Sequence, residues 1–256
     1  MSSSVTSIRL PQPTKAERFV SDRYRDEIQS GYEGLVQRLR NALDDRGLAI
    51  LEGFIHPDFL GELRSTVERL TPWCYEGGRR RAAVGTDLEH TAFHEITFSD
   101  FIIRLANDIL APFHVQVDPA DVHPVVNVLV GKQGQQYVNS YHFDATYLTI
   151  AMPVVMPPPS ADRDGKFRYW PNVRPFSQSA WQNRLYWKFF NVDFLRNMVR
   201  SESVNFVPGD LYFFYGFRSF HGTADLDPEQ LRANCLMNFG GPFFDLEKGK
   251  ILRYPK

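Results

Sequence analysis

The amino-terminal part of the chain carries apolar residues at the three- and four-residue spacing of amphipathic helices. This pattern predicts helices over residues 15–45, 56–72 and 98–110. Gly47 suits the C-cap of the first helix, because glycine adopts the left-handed backbone conformation without strain. Ser99 suits the N-cap of the third helix, because its hydroxyl can accept a hydrogen bond from a free helix N–H.

Beyond Pro112 the pattern changes to short β-branched and aromatic runs that Gly and Pro punctuate, which is typical of strands. We predict strands within 48–54, 123–132, 135–144, 147–157, 165–171, 203–209, 210–216 and 232–241. Residues 181–199 have a helical pattern again, and residues 74–90 are predicted to form a loop. Helices followed by many short strands predict an α+β chain whose strand-rich part is a jelly roll or a similar sandwich.

The positions at which the sequence pattern changes predict the organisation of the chain. We expect a flexible tail over residues 1–14, because this stretch is polar and contains proline. The remainder, 15–256, is expected to be one domain, with a helical part over 15–112 and a jelly-roll core over 113–245. An insertion at about 177–202 interrupts this core.

Composition and charge narrow the classes of partner. The net charge of −1 gives no argument for nucleic acid or for an anionic membrane, and no apolar run is long enough to span a bilayer. Cys74 and Cys235 are too few for a disulfide framework, and the N-terminus lacks the apolar segment of a secretory signal. We therefore expect a cytoplasmic protein with no nucleic-acid and no membrane partner. The oligomeric state stays open.

A histidine and an aspartate stand two residues apart in the otherwise apolar run SYHFDATYLTIAM, at His142 and Asp144. Residues two apart on a strand face the same side, so both side chains can reach one ion. A His-x-Asp pair alone is weak and often means a local hydrogen bond. His221, after the turn in VPGDLYFFYGFRSFHGT, is the best third ligand. Two histidines and one carboxylate form the facial triad of non-haem Fe(II) oxygenases.

Arg232 follows His221 by 11 residues on the next predicted strand. Its guanidinium offers a planar fork that matches a carboxylate, so it can hold the far end of a cosubstrate that chelates the iron. Thr223, close to His221, could add a hydroxyl contact.

Other candidates are weaker. His90 and His94 are four residues apart and could share a metal on a helix, but no third ligand follows nearby. Arg79–Arg81 are expected in a solvated loop, with one arginine as a candidate substrate contact. The aromatic residues of the insertion could wall a pocket, but we expect them to pack in the core; they are Trp181, Tyr186 and Trp187.

The motifs resemble those of the Fe(II)/2-oxoglutarate-dependent oxygenases, especially the branch related to phytanoyl-CoA hydroxylase, over residues 46–240. HFDATY is similar to the branch's His-x-Asp-x-x-Tyr pattern through His142, Asp144 and Tyr147. Arg232 matches the arginine that binds the C5 carboxylate of 2-oxoglutarate. The sequence departs from the branch after its Trp-Pro, where NVRP replaces the usual Gly-Ser-His.

The resemblance implies a double-stranded β-helix (jelly-roll) core with flanking N-terminal helices. It implies Fe(II) held by His142, Asp144 and His221, with O₂ and 2-oxoglutarate as cosubstrates and succinate as a product. Asn127 is a further candidate for a cosubstrate contact. Halogenating members have a small residue in place of the carboxylate ligand, so Asp144 favours hydroxylation or another oxidation.

The expected substrate is a small molecule such as an amino acid or a natural-product intermediate. The alternative from another class is a cupin-like jelly roll that holds a metal without 2-oxoglutarate-dependent activity, which would leave Arg232 without a role. A protein hydroxylase is a third possibility and would need an open groove.

Overall fold

The computed structural model describes residues 17–76, 82–84, 88–130, 138–158, 163, 165–176 and 180–241. The predicted tail over residues 1–14 and the arginines at 79–81 lie outside these ranges.

The helices lie mostly where the apolar periodicity predicts them. They are α1 (Asp22–Arg46), α2 (Pro57–Glu76), α3 (Ala92–Thr97), α4 (Asp100–Leu110), α5 (Ala180–Phe190) and α6 (Asp193–Asn197), with short 3-10 turns over Ala111–Phe113 and Pro119–Asp121. Gly47 caps α1 in the left-handed conformation, with φ of 69°. The Ser99 hydroxyl accepts a bond from the N–H of Ile102 at 3.2 Å. Both predicted caps are confirmed. None of the described helices is long and apolar enough to cross a membrane.

Nine strands form two antiparallel sheets in the described part of the chain. They are β1 (Ala49–Leu51), β2 (Ala82–Val84), β3 (His123–Leu129), β4 (Leu148–Val155), β5 (Phe167–Trp170), β6 (Glu202–Val204), β7 (Leu211–Phe214), β8 (Phe220–Thr223) and β9 (Arg232–Phe239). Six of them pair in the order β1-β7-β4-β9-β3-β2, and the other three pair in the order β6-β5-β8. In the six-stranded sheet, β4 and β9 are central and pair over almost their whole length.

The six-stranded sheet separates the main core from the cleft that holds the candidate site. Along β9, Ala233, Cys235, Met237 and Phe239 alternate into the core that the amino-terminal helices cover. The residues between them, beginning with Arg232, point to the opposite face, toward the three-stranded sheet. This alternation gives one strand both apolar anchoring and polar site residues.

Two sequence predictions are wrong in detail. Residues 135–144 form no regular strand where they are described, because Asn139 has a φ of 61° and the chain turns there. His142 instead forms an isolated bridge with His221, through mutual N–H to carbonyl bonds of 2.8 and 2.9 Å. The predicted loop over residues 74–90 contains the short strand β2, which pairs with β3.

The insertion is helical, as predicted, but two of its aromatic residues do not pack in a core. Trp181 is 68% exposed and Trp187 is 51% exposed. Tyr186 is partly buried against a small cluster around Trp170 and Phe220. The expectation of core packing therefore holds only for Tyr186. Only one side of α5 packs on the fold, and Trp181 and Trp187 lie outside that contact.

Candidate functional site

Three side chains that could ligate a metal converge between the two sheets. His142, Asp144 and His221 each place one ligand atom within 4.8 Å of the others. Oδ1 of Asp144 lies 3.4 Å from Nε2 of His142 and 3.5 Å from Nε2 of His221. The bridge between His142 and His221 fixes the two backbones side by side. The structure thus brings together all three residues of the predicted triad.

Backbone carbonyls orient both imidazoles. Nδ1 of His142 lies 3.1 Å from the carbonyl oxygen of Ser140, and Nδ1 of His221 lies 2.8 Å from that of Ser219. A carbonyl can only accept, so each Nδ1 is the protonated nitrogen and each Nε2 keeps its lone pair. Such bonds behind a ligating histidine fix its tautomer and ring orientation. Both lone pairs are therefore available on the side where Asp144 lies.

The second oxygen of Asp144 is held from behind. Oδ2 accepts a hydrogen bond from the Thr149 hydroxyl at 2.5 Å, which leaves Oδ1 facing the imidazoles. Gly216 covers the same carboxylate, since a Cβ atom there would lie 2.1 Å from Oδ2 and 2.6 Å from the Thr149 oxygen. Only glycine fits at this position without displacing the ligand.

The electrostatics of the triad favour a cation. Burial alone would raise the pKa of Asp144, but the two imidazoles hold it well below its ordinary value. Burial alone would lower the pKa of His221, but the Asp144 carboxylate raises it above its ordinary value. These opposite shifts mean that positive charge beside the Asp144 carboxylate is stabilised. A bound divalent ion would supply that charge and would compete with protons for Nε2, because ligating imidazoles are neutral.

Arg174 lies behind Asp144 in the segment NVRP, where the sequence departs from the resembled family. The side chain is buried, and its guanidinium lies between the rings of Phe143 and Phe217, 3.9 and 3.7 Å from their centroids. It donates to the carbonyl oxygens of Phe217 and Asp144. A planar cation between two aromatic faces is a stable arrangement, so Arg174 ties the backbone of the ligand to the neighbouring turn.

A cleft beside the triad contains the other predicted site residues. Arg232, Thr223 and Asn127 all line it together with His142 and His221. The open space is about 610 Å³, which includes its mouth, and Phe167, Phe206 and Phe214 contribute apolar walls. Arg232 is 3% exposed, and its Nη1 lies 3.4 Å from the amide oxygen of Asn234.

Sequence reasoning did not identify several of these contacts. Asn234 was visible in principle, since it stands two residues after Arg232 on the same predicted strand and therefore faces the same side. Thr149 and Gly216 carry no motif, because their importance depends on how β4 packs against the turn that follows β7. Arg174 carried one signal, its position in the departure from the family pattern.

The remaining histidine candidates are not brought together. His90 has a φ of 62° and precedes α3, whereas His94 lies within it, so the two do not share a helix face. Among the described residues, the triad is the one group of three or more such ligands. Tyr147 of the resembled motif packs on the ring of Phe176, 4.7 Å between centroids, and does not line the cleft.

Comparison with known proteins identifies the fold. No protein-family model matches the sequence, and no curated protein matches it by sequence similarity. One similar structure is the epimerase SnoN in complex with Fe3+, alpha ketoglutarate and nogalamycin RO. Its TM-score is 0.62 at 14% identity, over 88% of this chain and 93% of that chain.

Two further structures extend the comparison. EctD from S. alaskensis with 2-oxoglutarate and 5-hydroxyectoine has a TM-score of 0.54 at 13% identity, over 82% of this chain and 80% of that chain. A Trichoplax adhaerens prolyl hydroxylase in complex with a hypoxia inducible factor peptide fragment has a TM-score of 0.55 at 12% identity, over 88% and 96%. The chain therefore has the α+β double-stranded β-helix fold of these oxygenases, as the sequence predicted.

Proposed function

We propose that the chain is a non-haem Fe(II)/2-oxoglutarate-dependent oxygenase that hydroxylates, or otherwise oxidises, a small molecule. The observation that carries the proposal is one cleft lined both by the imidazoles of His142 and His221 and by the buried guanidinium of Arg232. A metal site alone fits many proteins. A metal site that shares a cleft with a carboxylate-binding side chain fits a chelating keto acid. The sequence motifs favour the branch related to phytanoyl-CoA hydroxylase.

The donor set fits Fe(II). Two neutral imidazoles and one carboxylate leave other positions of the ion open for exogenous ligands, as non-haem iron oxygenases require. Iron bound by His142, Asp144 and His221 would supply, with 2-oxoglutarate and O₂, the oxidising power for attack on a substrate C–H bond.

The protein's own side chains position the reactants and hold charges. Arg232 would bind the distal carboxylate of 2-oxoglutarate through two parallel hydrogen bonds. Thr223 in the three-stranded sheet and Asn127 in the six-stranded sheet line the same cleft and would add polar contacts. The apolar rings of Phe167, Phe206 and Phe214 lower the polarity of the cleft, which would strengthen these interactions. Thr149 keeps one carboxylate oxygen of Asp144 engaged, so that the other faces the metal.

The lining of the cleft favours a small substrate. Aromatic walls with a few convergent polar groups are typical of small-molecule sites. Of the similar structures, SnoN contains nogalamycin RO and EctD contains 5-hydroxyectoine, whereas the prolyl hydroxylase holds a peptide. We infer that an amino acid or a natural-product intermediate is the substrate class.

Anaerobic spectroscopy tests the proposal without knowledge of the substrate. Addition of Fe(II) and 2-oxoglutarate to the purified protein is expected to produce a weak visible charge-transfer band. The band is expected to vanish in His142→Ala, which removes a ligand. It should persist in His94→Ala, because His94 lies in α3 outside the cleft and its ring contacts Phe98 at the end of that helix.

A cupin-like metal protein is the competing function. It predicts no such band, no binding of 2-oxoglutarate and a metal whose coordination is already complete. Purified protein that holds zinc in a closed site and shows no band with Fe(II) and 2-oxoglutarate would favour that function over the oxygenase.

A further inference from the structure

The helices of the insertion carry an unusual amount of exposed apolar surface. Nine large hydrophobic residues are exposed in the described part of the chain, and seven of them lie within residues 181–198. We call these seven the exposed apolar face; they are Trp181, Leu185, Trp187, Phe189, Val192, Phe194 and Met198. Single exposed hydrophobic residues are normal, but a concentration of this kind marks an interaction surface.

The exposed apolar face is not a core that failed to form. On the other side of α5, Asn183 and Phe190 are buried, with only 5% and 2% of their surface exposed. Phe190 packs on Phe220 and Phe143, with ring centroids 5.2 and 5.8 Å away. The inner side of α5 thus holds the helix on the fold, and the exposed apolar face is not needed for that packing.

Basic residues are interleaved with this face. Arg184 and Lys188 are exposed on α5. Arg184 follows Trp181 by three residues and Lys188 follows Leu185 by three, so the four side chains share one helix surface. Residues 180–202 contain four basic and two acidic side chains, a net charge of +2. Arg196 and Arg200 pair with Asp193 and Glu202, so Arg184 and Lys188 carry the outward positive charge. The net charge of −1 for the whole chain conceals this excess, because acidic residues elsewhere cancel it.

The net charge of the whole chain led us to expect no membrane partner, but from this exposed surface we propose that α5 and α6 dock the protein on an anionic lipid surface. Exposed tryptophans and phenylalanines beside arginine and lysine form the pattern of helices that lie in the membrane interface. Indole rings suit a boundary between apolar and wet regions, and basic side chains extend to the headgroups while their stems stay in apolar surroundings.

A second copy of the chain is a poorer occupant for the same face. A symmetric dimer would bring this positively charged surface against an identical one, and like charges at an interface repel. An anionic lipid layer instead neutralises them. Docking would also hold the metal site close to the lipid, because Phe143 and Phe220 directly flank triad residues. The docking proposal does not depend on the oxygenase proposal.

Vesicle co-sedimentation tests the proposal with the full-length protein. We expect binding to phosphatidylcholine vesicles that contain about 30% phosphatidylglycerol, and much weaker binding to pure phosphatidylcholine. Tryptophan fluorescence should shift to the blue on binding, because Trp181 and Trp187 leave water. The double substitution Arg184→Gln/Lys188→Gln should weaken binding about 30-fold, from roughly a fivefold loss per cation near the surface.

Apolar variants separate this outcome from others. Trp181→Ser should abolish the binding or reduce it strongly, whereas Val207→Ser, at a 51% exposed position outside the face, should leave it unchanged. All positions are exposed, and circular dichroism verifies that each variant folds. Absence of wild-type binding, or equal binding by the Arg184/Lys188 variant, would overturn the proposal. A dimer in sedimentation velocity that Trp181→Ser dissociates, without vesicle binding, would assign the face to a second copy.

Discussion

Replacement of Gly216 by alanine is the sharpest test of how the metal ligands are held. The new methyl carbon would lie 2.1 Å from Oδ2 of Asp144 and 2.6 Å from the Thr149 hydroxyl oxygen. An ordinary contact of this kind is about 3.4 Å, so the carboxylate must move by more than about 1 Å. Metal ligands tolerate displacements of only about 0.2 Å. We therefore expect Gly216→Ala to remove Asp144 from the coordination shell.

The expected loss is large in affinity and moderate in stability. Disturbing a group behind a ligand typically costs 10- to 100-fold in metal affinity, so displacement of the ligand itself should cost about 100-fold or more. Overpacking of a buried site costs about 1–3 kcal/mol of folding free energy. Anaerobic titration with Fe(II) measures the first quantity, and thermal unfolding measures the second.

Gly61→Ala is the matched control. Gly61 lies inside α2, and a Cβ atom there would meet nothing within 4 Å. Alanine is the better helix former, so this variant should be more stable by up to about 1 kcal/mol with unchanged metal affinity. Wild-type affinity in Gly216→Ala would refute the reasoning, because the carboxylate position would then not be set by this contact.

Four further predictions follow from the site and the core. Arg232→Lys should raise the KM for 2-oxoglutarate about tenfold or more with little change in kcat, because lysine cannot form the bidentate pair; an unchanged KM would exclude Arg232 from the cosubstrate site. Arg174→Met should lower the melting temperature and weaken Fe(II) binding about 10- to 100-fold, because the carbonyl oxygens of Phe217 and Asp144 lose their donor; wild-type metal affinity in a folded variant would contradict this role. Fe(II) affinity should fall as the pH drops through the raised pKa of His221, because the proton competes with the metal. Calorimetric titrations at several pH values measure this affinity, and an affinity that does not change with pH would contradict the prediction. Burial raises the pKa of the Cys235 thiol to about 12, so iodoacetamide should modify this thiol only after unfolding. Because the thiol ionises more easily in the unfolded chain, its contribution to the free energy of unfolding should be complete below about pH 9 and decline above it. Rapid labelling of the folded protein, detected by mass spectrometry, would disprove the burial.

Much of the fold could be predicted, because the apolar periodicity of the sequence is strong where elements bury one face. In β9, the alternation from Arg232 to Phe239 predicts both the strand and the side that faces the helices. The predicted strand around His142 was wrong, because Asn139 adopts a left-handed conformation that the run of β-prone residues does not reveal.

The residues of the candidate site also fall into two groups, those that the sequence predicts and those that only the packing reveals. The metal ligands could be predicted because their chemistry restricts them to a few residue types at a recognisable spacing. Gly216 and Arg174 act through packing between segments that are distant in sequence, and Thr149 acts on Asp144 from the start of β4, five residues later. A threonine, glycine or arginine at such a place has no local signature. The exposed apolar face was missed for a related reason, since helical periodicity does not show which apolar residues a fold leaves uncovered.

A crystal structure of the protein grown anaerobically with Fe(II) and 2-oxoglutarate tests the central claim most directly. The account predicts iron bound by Nε2 of His142, Nε2 of His221 and Oδ1 of Asp144, with 2-oxoglutarate on the iron and its distal carboxylate on Arg232. Iron bound elsewhere, or 2-oxoglutarate that does not reach Arg232, would contradict it.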